Sequence, residues 1–213
     1  MEFITELLSY MAENKENLLQ YTFDHILMVI YGIGMAIAVG VPLGILAARY
    51  EKIAPFILST VNVIQIIPSL AMLAILMIYF GLGFTTAVIG LFFYSLLPIV
   101  RNTYVGVKEV SPNLLEAGKG LGMTGLQVLR KVQLPLSIPF FMAGLRVASV
   151  IAVGVACIAP YIGADGLGRE IVSGISLRSE IKIYAGAIPA ALLAIFADTI
   201  LGFMERRTKK RIV

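Results

Sequence analysis

From Ile53 to Val100 the chain carries no acidic, basic or histidine residue, a run of 48 positions. As one α-helix that run would be about 72 Å long, more than twice a hydrocarbon core of about 30 Å. It belongs in a bilayer and has to turn there, and "FGLGF" at 80–84 supplies the break. Two spans are predicted from it, 54–80 and 84–102. Further apolar runs of crossing length lie at 26–48, 138–160 and 183–204. The expected fold is therefore an all-α membrane protein with about five transmembrane helices. With 59% hydrophobic residues, 14% charged and a mean hydropathy of +0.91, the chain has too little polar surface for a soluble domain.

Orientation is read from the basic residues. Arg49, Lys52, Arg101, Lys108, Lys119, Arg130, Lys131, Arg146 and the tail "RRTKKR" fall on one side of the five-span arrangement, thirteen of the seventeen lysines and arginines. The positive-inside rule makes that side cytoplasmic. Residues 1–23 are then an extracellular segment, 24–203 the membrane domain with a cytoplasmic loop at 104–137, and 204–213 a basic cytoplasmic tail. The tail is placed either to meet anionic lipid or to anchor the topology. The first eighteen residues are acidic and lack an apolar signal core, so they are expected to be retained. The expected location is the cell membrane, crossed several times. Cys157 is the single cysteine, which excludes an internal disulfide and a cysteine-based zinc site. No metal ligand set is expected, and His25 reads as an interfacial residue.

The segment "EAGKGLGMTGLQVLRKVQLP", 116–135, is the polar exception. Ser111 followed by Pro112 reads as a helix start. A short helix over "PNLLEAGKG" is expected to stop at Gly122, and a second, starting near Thr124, to end before Pro135. Two short helices joined by glycines suit insertion into a partner's groove. The stretch Gly120–Gly125 matches G-x-G-x-x-G, but it follows a helix, and the basic Arg146 stands where an acid is needed, so it is not read as a dinucleotide site.

Glu116-Ala117-Gly118, Gly122 and Val132-x-Leu134-Pro135 resemble the "EAA, three residues, G, nine residues, I-x-LP" loop of binding-protein-dependent ABC importer permeases. Gly118 replaces the second alanine and Val132 the isoleucine. The likeness extends over about 24–203, through "IPSLAMLAILMIYFGLG", "LLPIVRNTYVGVKEVSPNLLEAGKGLG", "KVQLPLSIPFFMAGLRVA" and "IGADGLGREI", and is greatest to permeases for glycine betaine, carnitine, choline and similar osmoprotectants. The resemblance implies a type I importer fold and a coupling loop built on Glu116, Ala117, Gly118, Gly120, Leu121, Gly122, Leu134 and Pro135. It also implies a cytoplasmic ATPase dimer, a second permease subunit, the same or related, and an extracellular substrate-binding protein. ATP would be used by those partner subunits. The chain has no phosphate-binding loop of its own, no cofactor is expected in it, and no catalytic residue or nucleic-acid partner is assigned. An amino acid such as methionine is the alternative substrate. A stand-alone carrier or an intramembrane enzyme would need a coupling acid or a catalytic constellation; the one clear intramembrane acid, Asp198, has a plausible partner, and no catalytic constellation or internal hydropathy symmetry is visible.

Polar groups inside spans are functional candidates because lipid penalises them. Asn62 and Gln65 precede Pro68, and with Tyr79, Phe93 and Tyr94 they are candidates to line the pathway. Anchoring at the membrane interface is the plainer role for the aromatic residues. Gly32, Ala36, Gly40, Gly44 and Ala48 form a small-residue stripe that serves either packing within the subunit or a subunit interface. Arg146 and Asp198 lie at similar depths and are expected to pair, since either alone would be an uncompensated charge.

Overall fold

The structure, a computed structural model, describes residues 2–210; residues 211–213 of the basic tail lie outside that range. All elements among the described residues are helical: α1 (Glu2–Glu13), α2 (Lys15–Arg49), α3 (Ala54–Ile66), α4 (Ser69–Phe80), α5 (Phe84–Lys108), α6 (Pro112–Gly120), α7 (Gly125–Val128), α8 (Leu134–Ala156), α9 (Gly168–Leu177) and α10 (Glu180–Lys210). Four helical stretches are long and apolar enough to cross a membrane, and the bent α3–α4 pair brings the number to five if it is one span.

Several boundaries differ from those read in the sequence. The first crossing helix begins at Lys15 rather than near Ile26 and runs for 35 residues. Glu16 and Asp24 add charge ahead of the apolar run but do not stop a helix. Residues 54–80 are not one rod, because α3 and α4 meet at 97°. Pro68 has no N–H to continue α3, and Ile67 before it takes the extended conformation, φ −61° and ψ 126°, that a following proline favours. The turn expected at "FGLGF" is present, with Gly81 and Gly83 at φ 80° and 105°. The stretch 161–182, between the apolar runs at 138–160 and 183–204, contains α9.

The core is organised around α5. Gly32, Ala36, Gly40, Gly44 and Ala48 are all buried. Their glycines face α5: a Cβ on Gly32 would stand 2.6 Å from Leu91 Cβ, and one on Gly44 2.6 Å from Thr103 Cβ. The stripe packs within the chain. On the other side of α5, a Cβ on Gly106 would meet Phe140 Cβ at 2.7 Å, and one on Gly144 the Pro98 carbonyl at 2.7 Å, so α8 also lies against bare backbone. Met28, Leu73, Leu91, Ala152 and Ile162 fill the half of the bundle beside the start of α5, and Ala36, Ile57, Ile99 and Ala148 the half beside its end.

α1 and α9 cover the far end. Leu7 is buried, Phe3 packs edge-on to Tyr184 with ring centroids 5.2 Å apart, and Tyr10 donates to Glu170 Oε2 at 2.8 Å. Burial of Tyr10 and the Glu170 carboxylate push the phenol pKa up to about 12.

Candidate functional site

The segment between α5 and α8 is built by local rules. Leu114 and Leu115 donate to the Ser111 carbonyl to begin α6, with Pro112 in the first turn; the Ser111 hydroxyl makes no cap bond. At the other end Met123 N donates to Gly118 O at 3.1 Å and Gly122 N to Lys119 O at 2.9 Å, with Gly122 at φ 77°. That pair of bonds is a Schellman closure, and the left-handed residue in it is the one best filled by glycine. Thr124 then opens α7 with a reciprocal capping box, its backbone N–H on Gln127 Oε1 and its hydroxyl accepting from Gln127 N.

The second short helix does not end before Pro135. It widens into a π turn at Leu129–Gln133, in which Leu134 N bonds Leu129 O, and passes directly into α8. The wider turn lets Pro135 enter the first turn of α8, where no N–H is needed. One continuous helical rod therefore runs from Gly125 to Ala156, 32 residues.

The two short helices form a knob with a distinct outer surface. Glu116, Ala117, Gly120 and Gly122 are exposed, and so are Leu114, Leu126 and above all Leu121, at 79%. Gly118 faces inward, where a Cβ would touch Met123 Sδ and Val128 Cγ2 at 3.5 Å. Leu134 is half-buried and Pro135 exposed, both at the root of the knob. Gln133 Nε2 donates to the Val107 carbonyl at 3.2 Å and ties that root to α5. A cleft of about 270 Å³, lined by Ala48, Arg49, Leu115, Lys119 and Val128 among others, separates the knob from the end of α2. Beside it Lys108 Nζ lies 2.5 Å from Glu51 Oε1 and holds that carboxyl below its ordinary pKa. A small knob that exposes an acid and three leucines has the form of a plug for a partner's groove.

The pathway candidates do not converge on one cage. Asn62 is exposed, and Gln65 Oε1 is buried without a hydrogen-bond partner. Tyr94 is buried, and its hydroxyl donates to the Ile67 carbonyl, one of the groups left over where α3 breaks. Phe93 is half-buried against Phe92, with centroids 4.9 Å apart. Tyr79 stands 78% exposed at the end of α4. Arg146 and Asp198 are brought together: Nε and Nη2 donate to the two carboxylate oxygens at 2.5 and 2.7 Å, and Glu205 Oε2 lies 3.7 Å from Nη1.

Residues 40–210 match the family described as binding-protein-dependent transport system inner membrane components. The chain belongs to that family. Among curated relatives of this permease, the glycine betaine/carnitine/choline transport system permease protein OpuCD of Bacillus subtilis is 49% identical, over 97% of this chain and 90% of the relative. The carnitine transport permease protein OpuCD of Listeria monocytogenes and the choline transport system permease protein OpuBD of B. subtilis are each 46% identical, covering 97% of this chain and 93% and 92% of theirs. Of solved structures, an inward-facing MetNI methionine ABC transporter superposes with a TM-score of 0.83 at 19% identity, covering 92% of the permease and 98% of that chain. An amino acid ABC transporter superposes with a TM-score of 0.72 at 22% identity, covering 93% and 97%. The permease is thus an inner-membrane, multi-pass transporter subunit with the type I importer fold.

Two features of the permease were not legible in advance. His25 is fully buried rather than interfacial, its Nε2 3.2 Å from the Val153 carbonyl. A lone histidine near a span end gives no sign of which face it occupies, and here α8 covers it. The Tyr10–Glu170 bond joins residues 160 apart, and neither position lies in a pattern that could announce it.

Proposed function

We propose that this chain is a permease subunit of an ATP-driven importer for a compatible solute bearing a quaternary ammonium, such as glycine betaine, carnitine or choline. An extracellular binding protein delivers the solute, a second permease completes the pathway, and separate cytoplasmic ATPase subunits bind and hydrolyse ATP. The N-terminus is outside and the knob and C-terminus are cytoplasmic. The substrate class is carried by one observation: relatives 46–49% identical over 97% of this chain bear glycine betaine, carnitine or choline in their names. The methionine transporter, at 19% identity, shares the fold alone.

The mechanism follows from the knob. Its exposed surface, Glu116 with Leu114, Leu121 and Leu126, seats in a groove of the ATPase, and the rod continuous with it carries ATPase closure to α8 in the membrane. The chain supplies no phosphate-binding loop, so hydrolysis belongs to the partner. The test is reconstitution of the permease with its ATPase and binding protein in liposomes. ATP-driven uptake of radiolabelled glycine betaine, carnitine or choline is expected, with none of methionine. Methionine uptake without uptake of any quaternary ammonium would reverse the assignment.

A further inference from the structure

α10 is flanked by two grooves over nearly the same part of its length. One, about 510 Å³ between α2, α8 and α10, is lined by Ile26, Ile30, Ile33, Leu193, Phe196 and their neighbours, with no charged residue. The other, about 460 Å³ on the far side of α8, is lined by Ala143, Arg146, Val147, Val150, Ile151, Asp198 and Glu205. Its three charged side chains are 41%, 37% and 27% exposed, so they stand at the surface of the subunit. Arg146 and Asp198 also stand within the span, with Glu205 at its end. Arg146 is about 15 Å along α8 from Ala156, and Asp198 about 24 Å along α10 from Lys182. Hydrocarbon can fill the first groove at no cost. In the second it would surround the part-exposed Arg146–Asp198 ion pair, whose remaining N–H donor and lone pairs hydrocarbon cannot satisfy.

We propose that the α8–α10 face carrying Arg146, Asp198 and Glu205 borders water as a wall of the solute pathway, and that the α2–α8–α10 groove faces lipid. This assignment rests on the reading of the chain as an importer permease. It makes Val147, Val150 and Gly154, an exposed stripe of α8, pathway-lining positions. It also makes Arg146 a positioning residue that holds α10 to α8, the helix driven by the knob.

The test uses the assembled importer with Cys157→Ala as background and single cysteines placed by Val147→Cys, Val150→Cys or Gly154→Cys. Ile30→Cys and Phe196→Cys report the apolar groove. A thiol in hydrocarbon stays protonated and unreactive, so a charged, membrane-impermeant methanethiosulfonate should label the three α8 positions at least about tenfold faster than the two controls. Equal, slow labelling at all five positions would overturn the assignment. The reading it rests on fails differently: the Cys157→Ala parent would then retain no ATPase and show no ATP-driven uptake, whatever the labelling.

Discussion

Two glycines four residues apart in the knob do opposite things. Gly122 holds φ 77° to close α6, and a side chain there is strained although nothing crowds it. Gly118 has helical backbone and room for a methyl, with neighbours at 3.5 Å. Gly122→Ala should therefore cost about 1–2 kcal/mol of local order. It should lower substrate-stimulated ATP hydrolysis by the assembled importer while leaving membrane insertion intact. Gly118→Ala should be neutral or raise stability by up to about 1 kcal/mol, since helix interiors prefer alanine. Parallel ATPase assays on the two variants check both. Much of this site is readable from the chain, because Ser-Pro, a glycine six residues after Glu116 and Thr-x-x-Gln each act over a few residues. The π turn is not readable in the same way. Pro135 alone says that a normal helix cannot pass, and only the packing of Gln133 on Val107 shows that a wider one can.

At the level of elements, close helix approach is the main determinant of the bundle. In the isolated run of α2, the stripe of small residues gives the contact face but not the partner, which could equally be another subunit. The structure assigns it to α5. Gly44→Ala would place a Cβ 2.6 Å from Thr103 Cβ and 2.8 Å from the Val100 carbonyl, forcing the helices apart at about 1–3 kcal/mol. Gly34, with nothing within 4 Å, tolerates the same change. Melting temperatures of the two purified variants should separate accordingly, with Gly44→Ala the lower.

The docking of α1 makes a second prediction at this scale. Tyr10→Phe removes the donor from a Glu170 that is only 7% exposed, a loss of about 1–3 kcal/mol. Amide hydrogen exchange over residues 3–13 should accelerate by about tenfold or more. Because the folded pKa of Tyr10 is raised from 10.0 to about 12, the bond's contribution is complete below about pH 10 and is lost as pH rises through 12. The wild-type protein should hold α1 unchanged from neutral pH up to about pH 10. Nothing in "EFITELLSYMAE" alone fixes this docking: its helical period is legible, but its partner lies in α9, past four spans.

For the whole molecule, the count of crossing segments follows from charge-free runs, while their shapes do not. The 48-residue run was certain to turn, yet hydropathy is blind to a corner made entirely of apolar residues. The α3–α4 bend is decided by Pro68 and by Tyr94, whose hydroxyl covers the Ile67 carbonyl. A charge-sparing corner of this kind looks to a hydropathy window like a straight helix.

The rod from Gly125 to Ala156 has a mechanical consequence. At about 48 Å it exceeds the bilayer thickness, so part of it always stands in the aqueous phase. In the proposed importer such a strut is recognised at its Leu126 end and transmits along the rest of its length by stiffness. Its sensitive points are thus those of a beam, where a softened middle turn would leave both ends correctly folded and the push undelivered.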